Sequence, residues 1–180
     1  MKSTPAKLIN QVLLSGLLLG VCLALTGTSM AQNQYYVSPS GSDSNDGSSG
    51  SPWATIGHAA SALTVGASGT CSAGSGWYSV ANAGACVHVL SGTYNSGSTV
   101  TVANSGTSGA RIVYISETQW GAKLVGSSCG ILRDTGNYVD VDGFDMTGSC
   151  STGLMLDGSH VRAIGNKVHD LLGTAGYAVF

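Results

Sequence analysis

Charge is scarce in this chain: seven Lys and Arg and nine Asp and Glu among 180 residues. No basic face is available for a phosphate backbone, which excludes nucleic acid as a partner. Disorder is excluded as well, because apolar β-forming residues are abundant and patterned. Proline is nearly absent, at three residues, and helical periodicity is missing outside one short stretch. No Cys-x-x-Cys pair or Cys/His cluster occurs, which argues against zinc. The Leu-x-x-Leu-x-Leu-x-x-Asn pattern of leucine-rich repeats is missing too. His58, His88, His160 and His169 have no Ser or Cys nucleophile with a partnered acid beside them in the sequence pattern, so they read as structural.

The first residues read as a leader. Lys2 and Lys7 precede an apolar run from about Leu8 to Leu25, which ends in "TGTSMA" with small residues before a cut after Ala31. This is the pattern of a secretory signal peptide, and it predicts a secreted, extracellular or periplasmic protein with no membrane attachment after cleavage. Loss of Lys2 and Lys7 leaves five basic and nine acidic residues, a net charge of −4. Four cysteines then remain, Cys71, Cys86, Cys129 and Cys150. An even count in an exported chain predicts two disulfides with three possible connectivities. Sequence locality favours Cys71–Cys86 and Cys129–Cys150.

Short runs of Val, Ile, Leu, Thr and Tyr recur between Gly, Ser, Asn and Asp: "CVHVLSGTY", "ARIVYIS", "AKLVG", "GILRDTG", "YVDVDGFDM", "GLMLDGS" and "HVRAIGNKVHD". Many short strands are expected. Shifting the chain by 22 lays "YVDVDGFDMTG" (138–148) on "HVRAIGNKVHD" (160–170), with Val139 on Val161, Gly143 on Gly165 and Met146 on Val168. A shift of 23 lays "GILRD" (130–134) on "GLMLD" (153–157) and that on "GYAVF" (176–180). Two segments repeating with nearly one period predict an all-β fold, a parallel β-helix or solenoid with about 22 residues per coil. Neighbouring coils lie about 4.8 Å apart, within disulfide reach, so Cys129 and Cys150 suit a bridge between adjacent rungs.

A solenoid leaves a sheet edge and an apolar cross-section at its end, which must be covered. The one helical stretch supplies a cover: Ser51 as N-cap, Pro52 in the first turn, and Trp53, Ile56, Ala60 and Leu63 on one face predict a short N-terminal capping helix. The expected organisation is a signal peptide over 1–31, an N-terminal strand, loop and capping helix over 32–70, and coils over 71–180. The chain stops at "GYAVF" with no closing element, so downstream coils or a partner are expected to cover that edge.

The segment "YYVSPSGSDSNDGSSGSPWATIGHAASAL", followed by "CVHVLSGTY", resembles the N-terminal part of secreted right-handed parallel β-helix proteins of the pectate-lyase-like superfamily, especially polysaccharide lyase family nine and its relatives. "YVDVDGFDMTG" and "VRAIGNKVHD" look like successive coils of the same family. The resemblance implies calcium-assisted β-elimination on acidic polysaccharides such as pectate: Asp residues hold Ca²⁺ against the uronate carboxylate and a Lys or Arg removes the C5 proton. After "VDGF" the family's lysine would follow, but Asp145, Met146, Thr147 and Gly148 stand here, so no catalytic residue is carried over. A non-catalytic extracellular module that binds glycan or acts structurally is the alternative.

The candidate Ca²⁺ ligands are Asp134 and Asp157, placed one coil apart by the shift of 23, and Asp140, Asp142 and Asp145 in "VDVDGFD". Asp134 and Asp157 also open Gly-containing turns, where an Asp side chain bonds its own backbone. Alternation sends Asp140 and Asp142 away from Val139 and Val141, so both are expected at the surface, with Arg162 stacked on Asp140 and Lys167 on Asp145 as cross-strand ion pairs. "DSNDG" (43–47) reads as a turn. Trp77, Tyr78, Tyr94 and Trp120 are candidates for stacking on sugar rings.

Overall fold

The computed structural model describes residues 32–127 and 130–173, together with the backbone of a last strand at 177–179. The leader expected over 1–31 lies outside the described residues.

β1 (Asn33–Val37) leads through the Ser-rich loop to α1 (Ile56–Ala62), the helix of this region. Strands follow: β2 (Gly69–Ser72), β3 (Ser79–Val89), β4 (Gly92–Ser96), β5 (Val100–Val102), β6 (Arg111–Ser116), β7 (Ala122–Gly126) and β8 (Gly130–Asp134). The rest of the chain gives β9 (Val139–Asp142), β10 (Asp145–Gly148), β11 (Thr152–Leu156), β12 (Arg162–Ile164), β13 (Lys167–Leu171) and β14 (Tyr177–Val179). From β3 onward the chain visits three sheets in turn. The first sheet runs β1-β3-β6-β9-β12, the second β4-β7-β10-β13 and the third β5-β8-β11-β14, every one of these pairs being parallel. The exception is β2, which forms an antiparallel hairpin with β3. The protein is thus mostly β with parallel sheets.

Parallel register stacks like on like. Val87, Tyr114, Val141 and Ala163 form one row on the first sheet. Tyr94, Leu124, Met146 and Val168 form another on the second, and Val100, Leu132 and Leu154 one on the third. Val87, Tyr114, Val141, Leu124, Met146, Leu132 and Leu154 join one core with Ile112 and Val139. Each Val, Leu or Ile buried in it is worth roughly 1.5–3 kcal/mol. The shift of 22 is reproduced in Asp140↔Arg162, Val141↔Ala163 and Met146↔Val168. The shift of 23 is not: Asp134 pairs with Leu156, one residue short of Asp157, and Thr152 pairs with Tyr177. Thr152 and Tyr177 are therefore 25 apart rather than 23, and one extra residue enters at the register shift between Met146 and Gly148.

The helix begins later than expected. Thr55 is the N-cap, its hydroxyl accepting from His58 N, and Ser51 instead forms a bridge with Ser48. Trp53 is held extended: its N–H donates to Tyr36 O at 2.9 Å and its carbonyl accepts from Ser38 N at 2.8 Å. Asp43 completes the turn, accepting from Ala54 N and Thr55 N through one oxygen and from the Thr55 hydroxyl through the other. Strand pairing and these bonds hold residues that N-cap chemistry alone assigns to a helix. Trp53, Ile56, Ala60 and Leu63 are all buried in the main core, as expected of an apolar face, although Trp53 reaches it from outside the helix.

The disulfide Cys71–Cys86 fastens the β2–β3 hairpin, with a Cα separation of 5.4 Å. Cys150 is a buried thiol without a disulfide partner among the described residues, and Cys129, its expected partner, lies outside them. Behind the first sheet the hairpin builds a second, smaller core: Cys71, Ala73, Val80 and Ala83 pack on Cys86, Val113 and Ile115, with Trp77 and Tyr78 at its rim.

Candidate functional site

That outer core overturns one expectation. Asp140 and Asp142 do point away from Val139 and Val141, yet both are fully buried. Strand alternation fixes direction, not exposure, and the face they occupy lies under the hairpin and two arginines. Asp140 accepts from Arg111 Nε at 3.0 and 3.1 Å and from Arg162 Nε at 2.8 Å. The expected stacking of Arg162 on Asp140 is present, and Arg111 is a second, deeper partner that also donates to His160 O at 2.6 Å and lies over the Tyr138 ring. Both Asp140 oxygens are thereby occupied.

Asp142 is less well served. One oxygen accepts from Ile164 N at 3.1 Å, and the other has no partner among the described residues. Loss of hydration, then the nearby Asp140, pushes its carboxyl up to about 7. Asp134 behaves likewise on the third sheet. Its Oδ1 accepts from Gly136 N at 2.9 Å, the turn bond expected of Asp-Thr-Gly, while its Oδ2 is unpartnered and burial raises the carboxyl to about 6. Asp157 is exposed, and its carboxylate is paired with Arg133 at 2.5 Å. Asp134 and Asp157 meet through the backbone, Asp157 N donating to Asp134 O at 2.8 Å, but one carboxylate is buried and the other is held by Arg133. No group of three or more His, Cys, Asp or Glu suited to a metal exists among the described residues. With Asp140 saturated by arginines, Asp157 on Arg133, and Asp134 and Asp142 buried on different sheets, the five candidate aspartates do not fit a shared Ca²⁺.

The exposed chemistry lies on the outer face of the second sheet. Thr93, Lys123, Asp145 and Lys167 occupy successive rungs in register. Their neighbours in sequence, Ala122, Leu124, Phe144 and Met146, are buried, so alternation turns the polar row outward. Lys167 stacks on Asp145 as expected, but the ion partner of Asp145 is His169, at 2.6 Å. His169 also bonds Asp170 at 2.7 Å. Neither Lys123 nor Lys167 forms an ion pair among the described residues. Two rungs apart, their Cα atoms are about 10 Å from one another. Both amines are left for an outside anion.

Trp120 stands beside them. It is 49% exposed, and its Nε1 donates to Gly165 O at 2.7 Å. That bond ties it to the turn that starts β13, three residues before Lys123 and two residues from Lys167 in the neighbouring coil. Trp77 is the contrasting case: its Nε1 donates to Ser116 O, its ring stacks with Tyr78 at 5.3 Å, and it lies over the left-handed Gly143 and Gly165. Tyr94 donates to Val37 O and Leu90 O. Of the four aromatics singled out, Trp120 alone keeps a largely open ring.

The sequence held the signal for this group, since residues 123, 145 and 167 are each 22 apart, the period found for 138–148. His88 is structural: it bonds Glu117 and Gln34 and stacks on Tyr36, and Glu117 in turn receives Gly74 N of the hairpin at 2.7 Å.

No helix among the described residues is long and apolar enough to cross a membrane. The chain matches no family model and no curated protein. Among solved structures it is similar to a rhamnogalacturonan lyase at 19% identity and a TM-score of 0.56, over 79% of this chain and 37% of that one. The likeness shows a shared fold, and the chain spans little more than a third of the length of the lyase it matches.

Proposed function

We propose that this chain is the N-terminal part of a secreted, carbohydrate-active right-handed parallel β-helix with coils of about 22 residues and α1 as its cap, and that it belongs to a polysaccharide lyase acting by β-elimination on an acidic glycan. The observation that carries the reading is the row Lys123, Asp145, Lys167 beside the open ring of Trp120, on a fold similar to a rhamnogalacturonan lyase. An acidic sugar chain offers a carboxylate to each ammonium group and the C–H face of a ring to the indole, whose electron-rich face favours polarised C–H groups and cations. The carboxylate of Asp145 is bonded to His169, and neither lysine forms an ion pair with it.

β-Elimination needs a base within hydrogen-bond reach of the C5 proton and positive charge against the uronate carboxylate. The lysines supply the second requirement. Calcium enters this reading through the family resemblance alone. The signal peptide over 1–31, the extracellular location and the division at residue 70 belong to the same reading. The disulfide Cys71–Cys86 supports an oxidising compartment.

Incubation of the secreted protein with polygalacturonate and with rhamnogalacturonan, with and without calcium, tests it. Appearance of the ultraviolet absorbance of unsaturated uronates is the expected result for a lyase. Binding without any such product supports the second reading, a non-catalytic glycan-binding module. Neither binding nor product overturns both.

A further inference from the structure

A cleft of about 470 Å³ opens at the β4 edge of the second sheet, between the start of α1 and the turn from β4 to β5, and it meets the lysine row at Thr93, the rung neighbour of Lys123. Its volume falls in the range of roughly 300–1,000 Å³ typical of small-ligand sites. β4 is the last strand of its sheet, so its outer edge has no strand partner among the described residues. The floor is apolar, made by Ile56, Leu124 and Ile131, which are 3%, 2% and 0% exposed. The rim is neutral and polar. Thr93, Asn95, Thr99 and Thr101 line it, and none of their side chains has a hydrogen-bond partner among the described residues. No Asp, Glu, Lys, Arg or His lines the cleft.

We infer that this cleft binds one neutral sugar unit, a hexose or deoxyhexose, at a branch or end of the glycan held further along by Lys123 and Lys167. This inference rests on the carbohydrate reading. A pyranose presents an apolar face of C–H groups and a rim of hydroxyls that both donate and accept, which matches an Ile/Leu floor under unpartnered Thr and Asn side chains. A uronate is disfavoured inside the cleft, because no lining side chain carries a charge; the rung neighbours of Thr93 and Thr101, Lys123 and the Asp157-paired Arg133, stand outside the lining. The cleft therefore sorts sugars by charge in the opposite sense to the lysine row.

The test is an amide-resolved NMR titration of the full secreted chain with methyl α-rhamnoside and methyl β-galactoside as neutral probes and galacturonate as the charged one. Saturable shifts at Asn95, Thr99 and Thr101 with at least one neutral glycoside, and at least tenfold weaker binding of galacturonate there, are expected. Thr99→Trp, which fills the cleft from the turn, is expected to abolish these shifts, and Asn95→Arg, on an exposed strand position whose rung neighbour is Val125, to reverse the charge preference. Absence of saturable shifts at these residues with both neutral glycosides overturns the inference. So does equal binding of galacturonate, or unchanged binding in both variants. Polygalacturonate binding by the lysine row, read in the same samples, separates failure of the cleft from failure of the carbohydrate reading: the first leaves it intact and the second removes it.

Discussion

Replacing Asp140 by Ala should be among the most damaging single changes on the outer face of the first sheet. Its carboxylate is fully buried and lies between Arg111, 11% exposed, and Arg162, 43% exposed at the side chain. Removing it leaves the Arg111 guanidinium buried with the carbonyls of Val139 and His160 as its remaining acceptors. Loss of one partner from a buried ion pair costs about 3–5 kcal/mol. For a domain of this size each kcal/mol moves Tm by about 2–4 °C, so a fall of about 6–20 °C is expected. Arg162→Ala should cost only about 1 kcal/mol, because half of that side chain is already in water. Asp140→Leu combined with Arg111→Met should recover most of the loss, since an apolar pair of similar volume avoids the desolvation of both charges. Thermal unfolding followed by circular dichroism measures all of these. A fall below about 3 °C for Asp140→Ala, or equal falls for Asp140→Ala and Arg162→Ala, would refute the assignment of Arg111 as the buried partner.

Stability should depend on pH in the direction opposite to that of a salt-bridged carboxylate. The carboxyls of Asp142 and Asp134 are raised to about 7 and about 6 from an ordinary 3.8, so the folded state holds their protons more tightly than the unfolded one. Their contribution is present near pH 4 and is lost as pH climbs through 6 and 7, an effect of a few kcal/mol at most. Tm is expected to be higher at pH 5 than at pH 8, and Asp142→Asn, which keeps the bond from Ile164 N, should flatten the profile. A Tm that rises steadily from pH 5 to 8 refutes this. Cys71→Ser with Cys86→Ser opens a 15-residue span and should cost about 3 kcal/mol by loop entropy; unchanged stability in denaturant would contradict it. Gly143→Ala places a methyl group inside the van der Waals surface of the Trp77 ring at a φ of 77°, and is expected to shift indole fluorescence and cost about 1–3 kcal/mol. Gly165→Ala, where the ring stands farther off, should do less.

Much of the architecture was legible in the sequence because parallel stacking sets like residues on like. The coincidence of Val139 with Val161 and Met146 with Val168 is a consequence of rungs that share one core row. What defeated sequence reasoning was local. The comparison of 130–134 with 153–157 matched Gly and Asp at a spacing of 23 and so set Asp134 on Asp157, whereas the two strands pair at 22 and set it on Leu156. Ser51 and Pro52 have the chemistry of a helix start, but Trp53 makes strand-like bonds to Tyr36 and Ser38, and tertiary pairing displaces the cap to Thr55. Exposure of Asp140 and Asp142 was misjudged because alternation cannot announce a hairpin that returns from residues 71–86 to cover the sheet. The lysine row was written in the sequence at a spacing of 22, while the pairing of Asp145 with His169 instead of Lys167 required coordinates.

The central claim is that the Lys123, Asp145, Lys167 row with Trp120 holds an acidic glycan. Affinity electrophoresis of the secreted protein through gels containing polygalacturonate, at low and moderate salt, tests it most directly. Retardation that weakens with salt, falls at least fivefold in Lys123→Gln with Lys167→Gln and in Trp120→Ala, and survives in Arg133→Gln is the predicted result. Retardation unchanged by the lysine and tryptophan substitutions would contradict it.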